Sequence, residues 1–325
     1  MGRLPLLGLT LPQFTDRPEA ALEAAVDARR LGFAGGFVFD HLWPLGAPER
    51  PALECWTLLA AVAAATRGGP EGSGFRVGTL VTRAGLRVPG LVARMAGTVG
   101  QVAGAPPIIG VGRGDRANQA ENLAYGLPFG DPAERAATLE ATVAALRGPL
   151  TGPSRPTGAP LRGSPDPSRP TGAPLRGSPD PSGPEVWVGG AGPGAHELAG
   201  RLADGWNGWA RTPEELAAGL AAVRVAAERA GRDPAAVAGT WGGQVLVAPD
   251  RREAEARLAR WAPGRPPAEL ARVVAGDPET VLDRLRELGD AGAAWCVLAT
   301  VGGPAAEQRA LLAAAGHAQA EGEIG

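Results

Sequence analysis

No lysine occurs anywhere in the 325 residues, so every basic group is an arginine. With the abundance of Ala, Gly and Pro, that bias reflects GC-rich coding DNA and points to no function. Cysteine is nearly absent: Cys55 and Cys296 stand far apart in apolar segments, with no metal-ligand or redox spacing. Both are expected to be reduced core residues of a cytoplasmic protein, and no metal site is expected. Charge of one sign is lacking too. A net charge of −2, with no long arginine cluster, leaves no basic field for nucleic acid. The longest alanine-rich apolar run, Thr57 to Thr66, is about half of what a membrane span needs. Met1 to Thr10 is too short and too Pro-interrupted for a signal segment, so a soluble, intracellular chain is expected. The only partner expected is a small-molecule substrate, with no nucleic acid and no membrane; a homodimer is left open.

What is present is an alternation of short apolar strands and capped helices. The 44% hydrophobic content is ordinary for a globule of one large domain, expected to span 1–325. Strands are predicted at 4–9, 35–39, 75–81, 107–111, 186–189, 205–209, 241–248 and 294–299. Between them fall helices such as 18–31, with Ala21, Leu22, Ala25 and Val26 on one face, and 89–102. Asp131-Pro132-Ala133-Glu134 and Thr212-Pro213-Glu214-Glu215 are helix-start signals, with a side-chain cap, Pro at the first position and Glu three residues on. Asp277-Pro278 opens another helix, with Val281, Leu282, Leu285 and Leu288 inward. A helix bearing Ala254, Leu258 and Trp261 precedes it. Eight β/α units fit an α/β fold of the (β/α)8 barrel type better than a doubly wound sheet.

One stretch breaks the pattern. Ser154 to Pro167 is followed without a gap by an identical copy, Ser168 to Pro181. Segment 148–184 is rich in Pro, Gly, Ser and Arg and has no apolar periodicity. It is expected to be a disordered insertion between strands four and five.

The chemistry is concentrated in Phe37-Val38-Phe39-Asp40-His41-Leu42-Trp43-Pro44. An apolar run ends in an acid, an imidazole and an indole, then in a Pro that cannot continue a ladder. Such a strand delivers titratable groups to its C-terminal mouth, where a barrel keeps its site. Asp40 would also serve as a turn cap, and His41 as an ordinary surface histidine. Yet histidine occurs only three times, and its unperturbed pKa lies nearest neutrality. Gly189-Gly190-Ala191-Gly192-Pro193-Gly194 leads into a helix whose first N–H groups suit a phosphate, although a plain strand-to-helix turn would use the same glycines.

Phe39-Asp40-His41-Leu42-Trp43-Pro44, Val77-Gly78-Thr79-Leu80-Val81, Ile109-Gly110-Val111-Gly112-Arg113-Gly114-Asp115, Trp187 to Gly192 with Ala203-Asp204-Gly205-Trp206-Asn207, and Gly276-Asp277-Pro278-Glu279 together, in that order, resemble the luciferase-like monooxygenase superfamily. The resemblance implies a (β/α)8 barrel. It is closest to the branch that uses the deazaflavin coenzyme F420 for hydride transfer; an FMN-dependent monooxygenase using O2 is the alternative, and a barrel that binds a flavin-like ligand without turnover is a third. In the deazaflavin branch Asp40 would contact the coenzyme, His41 would exchange the proton and Trp43 would wall the substrate pocket. Asp115 falls where relatives carry a Glu as second proton-transfer group. Asn118, with Arg113 and Gly114, matches a coenzyme-contacting stretch, and Leu80 and Val81 match a cis-peptide bulge behind the ring. Ala191, Gly192, Gly194 and Ala195 would receive the coenzyme phosphate. The repeat stands where relatives carry an aromatic hairpin. A sugar-phosphate substrate is disfavoured, because its lysine ligands cannot exist here.

Overall fold

A computed structural model describes residues 2–44, 46–68, 74–148 and 183–322. The tandem repeat, and the disorder expected of it, lie outside these residues. The strands are β1 (Leu6–Thr10), β2 (Gly35–Val38), β3 (Arg76–Arg83), β4 (Ile108–Gly112), β5 (Glu185–Gly189), β6 (Gly205–Trp209), β7 (Ala238–Val247), β8 (Val274–Gly276) and β9 (Ala293–Thr300). The helices are α1 (Pro18–Arg30), α2 (Cys55–Thr66), α3 (Pro89–Ala103), α4 (Gln119–Ala124), α5 (Pro132–Arg147), α6 (Pro193–Leu202), α7 (Pro213–Arg229), α8 (Arg251–Trp261), α9 (Pro267–Leu270), α10 (Pro278–Asp290) and α11 (Ala305–Gly322).

All pairings are parallel, and β1 through β7 followed by β9, without β8, close on themselves: β1 pairs with both β2 and β9, and β7 with both β6 and β9. The eight-stranded barrel expected from the alternation is therefore formed. The ninth strand was not foreseen. Three residues of β8 pair with the tail of β7 (Val245–Val247), beyond most of the stretch that β9 occupies.

Large aromatics fill the barrel interior and set which residues can surround them. Phe37, Trp187 and Trp295 meet with ring centroids 5.6 to 5.9 Å apart. A Cβ on Gly8 would lie 2.7 Å from the Phe37 ring, and one on Gly205 would lie 2.6 Å from Trp187. The glycines in these strands leave the volume that the rings occupy. The outer layer packs strands against helices. On α10 the expected Val281, Leu282, Leu285 and Leu288 are all buried. On α1 the buried face is Ala21, Ala24, Ala25 and Ala28, whereas Val26 is exposed. That helix packs closely through small side chains, with Leu22 partly buried against the core, so Val26 alone of the expected face points outward. On α8 Ala254 is buried, while the Trp261 ring carries the Arg265 guanidinium 3.6 Å from its centroid.

Both predicted capping boxes form. The Asp131 carboxylate accepts from Ala133 N and Glu134 N, and Thr212 Oγ1 accepts from Glu215 N at 3.3 Å. Glu215 has a second task. It accepts both terminal nitrogens of Arg272 at 2.6 and 2.9 Å, and Arg272 also donates to Ala210 O at 2.8 Å. Ala210 sits at φ 51° immediately after β6 and is held from the other side by donating its N–H to Gly242 O. The clasp thus fixes a left-handed alanine, which costs about 1 kcal/mol.

The Arg272 hydrogen bonds pull the Glu215 carboxyl down from 4.5 to about 2. A depressed folded-state pKa means stability present above the unfolded value and lost as pH falls through the folded one. Because both partners are over a third exposed, the contribution is about 1 kcal/mol. Glu215→Gln is expected to be destabilised by that amount near neutral pH, with the difference vanishing between roughly pH 4.5 and 2. Urea unfolding of both proteins across that range measures it; a pH-independent difference would remove the charge from the explanation.

Candidate active site

Strand β2 is buried along its whole length and delivers the Phe39 to Pro44 stretch to the C-terminal mouth. A side chain the sequence did not single out holds it there. Gln13, only 1% exposed, accepts from Phe39 N at 2.8 Å and donates to Leu53 O at 2.8 Å, tying the exits of β1 and β2 to the start of α2.

Asp40 turns inward. Its Oδ2 accepts from Thr82 Oγ1 at 2.6 Å, Arg83 N at 3.1 Å and Arg87 Nη1 at 2.6 Å, and its Oδ1 accepts from Arg87 Nη2 at 3.2 Å. Arg87 also donates to Glu54 at 2.6 Å, and Glu54 caps α2 by accepting from Trp56 N and Thr57 N. This ion-pair network joins the mouths of β2 and β3 to α2. The Asp40 side chain is 1% exposed and its oxygens are engaged within the protein.

His41 is one-fifth exposed, and the carboxylate that meets it is Glu121, not Asp115: Nδ1 lies 3.3 Å from Glu121 Oε2. Glu121 is fully buried on α4, accepts also from Leu42 N and from Trp43 N at 3.3 Å, and forms an ion pair with Arg83, whose Nη1 lies 3.1 Å from Oε2. Burial pushes the Glu121 carboxyl up, but the His41 hydrogen bond, the Arg83 charge and the Leu42 N–H outweigh it and hold the group below its ordinary value. Asp115 is exposed and caps a 3-10 turn (Arg116–Asn118). Its side chain accepts from Ala117 N at 2.9 Å, while Asn118 Oδ1 accepts from Asp115 N at 2.9 Å. Asn118 is thereby buried, Arg113 is exposed, and Gly114 takes the left-handed φ of 71° that the turn requires.

Around the mouth runs an aromatic wall. Phe39 stacks on Phe14 at 6.2 Å, meets Trp209 edge-on at 5.8 Å and lies 6.5 Å from the His41 ring. Trp43 approaches Tyr125 at 6.0 Å, and Trp209 and Tyr125 are both substantially exposed. Trp209 is the last residue of β6, directly before the clasped Ala210. Its position at a strand's C-terminal end could have marked it in the sequence.

The Leu80–Val81 peptide is cis, and the β3–β4 register shifts between Thr79 and Thr82. Val81 is packed between three glycines: Cβ atoms on Gly110, Gly112 and Gly189 would lie 2.9, 2.7 and 3.0 Å from its methyls. Those glycines accommodate Val81 rather than a ligand directly. At the start of α6 the picture differs, since Gly192 and Gly194 both face open space. Ala191 is exposed beside them, and Ala195 N turns back to Gly192 O at 3.0 Å. His196, in the same turn, sets its ring edge-on to Trp206 at 5.0 Å. Burial, with help from Arg211, pushes it below its ordinary value, and its Nε2 is buried without a hydrogen-bond partner.

Taken together, the mouth offers a buried acid network, one accessible imidazole backed by a carboxylate, an aromatic wall and an uncrowded helix N-terminus. A cavity of about 400 Å3 lined by Trp241, Arg272 and Arg284 lies elsewhere, between the turn after β6, the stretch 271–275 and α10, and none of the predicted site residues lines it.

Residues 7–271, which contain the groups at the mouth, match the luciferase-like monooxygenase family. The chain belongs to that family. A curated relative, the phthiodiolone/phenolphthiodiolone dimycocerosates ketoreductase of Mycobacterium sp. (strain JLS), is 33% identical over 188 residues, 57% of this chain and 46% of the relative. The chain thus matches about half the length of that protein. Among solved structures, an F420-dependent secondary alcohol dehydrogenase in complex with an F420-acetone adduct superposes with a TM-score of 0.75 at 19% identity, covering 96% of this chain and 98% of the other. The coenzyme F420-dependent tetrahydromethanopterin reductase of Methanopyrus kandleri gives 0.69 at 20%, with the same coverage. The EDTA monooxygenase of Chelativorans sp. BNC1 gives 0.73 at 17%, covering 98% and 94%. These likenesses establish the luciferase-like barrel. Among the described residues no helix is long and apolar enough to cross a membrane.

Proposed function

We propose that the chain transfers a hydride between the deazaflavin coenzyme F420 and a ketone or secondary alcohol. The observation that carries this reading is His41 at the barrel mouth, one-fifth exposed, backed by Glu121 and walled by Phe39. A carbonyl–alcohol conversion moves one hydride and one proton, so it needs a titratable group beside the hydride path. The ketoreductase relative and the alcohol dehydrogenase of the same fold support that substrate class.

The residues present fit such a coenzyme. Gly192 and Gly194 leave room for a phosphate at the start of α6, where backbone N–H groups and the helix dipole favour an anion. Ala191 and Ala195 flank that position. Leu80 and Val81 offer an apolar support for a flat ring, and Asn118 and Gly114 shape the turn beside it. Bound F420 would supply the carbon that accepts or donates the hydride. In alcohol oxidation the His41 imidazole would take the hydroxyl proton, and in ketone reduction the protonated ring would return it to the carbonyl oxygen. Trp43, Trp209 and Phe39 keep water from the reacting carbon and present an apolar face to the substrate.

Titrating the protein with each oxidised cofactor tests the reading. Quenching of deazaflavin fluorescence at micromolar protein, with FMN not retained, is the expected result. Retention of FMN instead would select a monooxygenase, and binding of neither would leave a barrel without this chemistry.

A further inference from the structure

We propose that Glu121 is the positioning residue that fixes His41 as its Nδ1–H tautomer and so presents Nε2 to the substrate. The inference rests on the reading of His41 as proton partner given above.

The assignment follows from a count of donors around one carboxylate. Glu121 Oε1 receives Leu42 N–H and Trp43 N–H, and Oε2 faces Arg83 Nη1 and His41 Nδ1. Three of these four partners can only donate. An ionised carboxylate can only accept, so the remaining contact is satisfied only if His41 Nδ1 carries a proton. In the neutral ring that leaves the lone pair on Nε2, which is the state able to take a proton from a hydroxyl; in the protonated ring Nε2 is the donor to a carbonyl oxygen.

Arg83 makes the arrangement durable. It is 5% exposed, donates from Nε to Asp40 O at 2.8 Å and from Nη1 to Asn122 Oδ1 at 2.9 Å, and so cannot leave Glu121 without burying an unpaired charge. Asn122 in turn donates to Pro128 O at 2.9 Å, anchoring the far side of α4. The carboxylate also pins the backbone of the two residues after His41, so ring tautomer and loop position are set by the same group. Nothing adjacent in sequence does this, since Glu121 lies 80 residues from His41.

Glu121→Gln tests the proposal because it keeps the shape and reverses the polarity. With the amide oxygen toward Leu42 and Trp43 N–H, the NH2 faces His41 Nδ1 and favours the Nε2–H tautomer. Nitrogen-15 spectra of the imidazoles, recorded without coenzyme, read the tautomer directly. Three histidines make the assignment simple, with His41→Ala identifying the resonance. The wild type is expected to show a protonated Nδ1 and an unprotonated Nε2 for neutral His41. In Glu121→Gln the pattern should invert, and kcat should fall by about a hundredfold with KM little changed. A neutral wild-type ring protonated at Nε2 would overturn the proposal even if the variant fails to fold. So would a folded Glu121→Gln that keeps the Nδ1–H pattern. Neither spectrum depends on F420, so failure of the coenzyme reading, seen in the cofactor titration, is separately visible.

Discussion

Replacing His41 by Ala is expected to lower turnover by about two to four decades while leaving coenzyme affinity nearly intact. The asymmetry follows from where the ring stands. His41 is one-fifth exposed at the mouth, with Nδ1 turned to Glu121, whereas His196 sets its ring against Trp206. Removing it takes away proton exchange in the transition state without touching the open turn at Gly192 and Gly194, where a coenzyme phosphate would be met. Fluorescence titration of F420 and steady-state turnover of a secondary alcohol or ketone accepted by the wild type measure the two quantities separately. His41→Asn, closer in size, should behave alike. Turnover within threefold of the wild type in both variants would take the imidazole out of the mechanism.

Arg87→Met is expected to cost about 3–5 kcal/mol of stability. Among the described residues, Arg87 alone hydrogen-bonds both Asp40 and Glu54, at 2.6 Å each, and Asp40 is 1% exposed. Without the guanidinium, the Asp40 charge is left in a site from which water is excluded. Thr82 Oγ1 and Arg83 N–H remain as its hydrogen-bond donors. Asp40→Asn in the same background removes the uncompensated charge, so the double variant should be more stable than Arg87→Met alone. Denaturant unfolding of the four proteins in the cycle measures the coupling. A loss under 1 kcal/mol in Arg87→Met would mean that the network is solvated. The consequence for function is that Asp40 serves as the anchor between β2, β3 and α2, with its carboxylate facing the protein interior.

Much of the fold was legible because it is written locally. The boxes at Asp131 and Thr212 and the cap at Asp277 are satisfied by groups within three residues of themselves, so the helices they open start where the sequence placed them. Eight apolar runs of strand length, separated by those helices, were sufficient for the barrel. Where local signals were weak the reading slipped: the three-residue β8 has no pattern long enough to be seen, and the small-residue face of α1 left Val26 looking inward when it is exposed.

The candidate site divides in the same way. That Asp40, His41 and Trp43 leave the end of a buried strand could be read from residue order, because a strand that ends in polar groups and Pro must stop there. Which acid would face His41 could not. Asp115 matched by motif and went to cap its own turn, since a cap needs only a backbone N–H two residues away. Glu121 met the imidazole because α4 folds back across the mouth, bringing together groups 80 residues apart. Gln13, Arg83, Arg87 and Trp209 joined the site for the same reason. Sequence by itself determined the strands, the helix caps and the residue types offered to the barrel mouth, all of which depend on neighbours along the chain. Only the tertiary structure decided which carboxylate is buried with an arginine and which is left to solvent, because the partner that compensates a charge is chosen by distance in space.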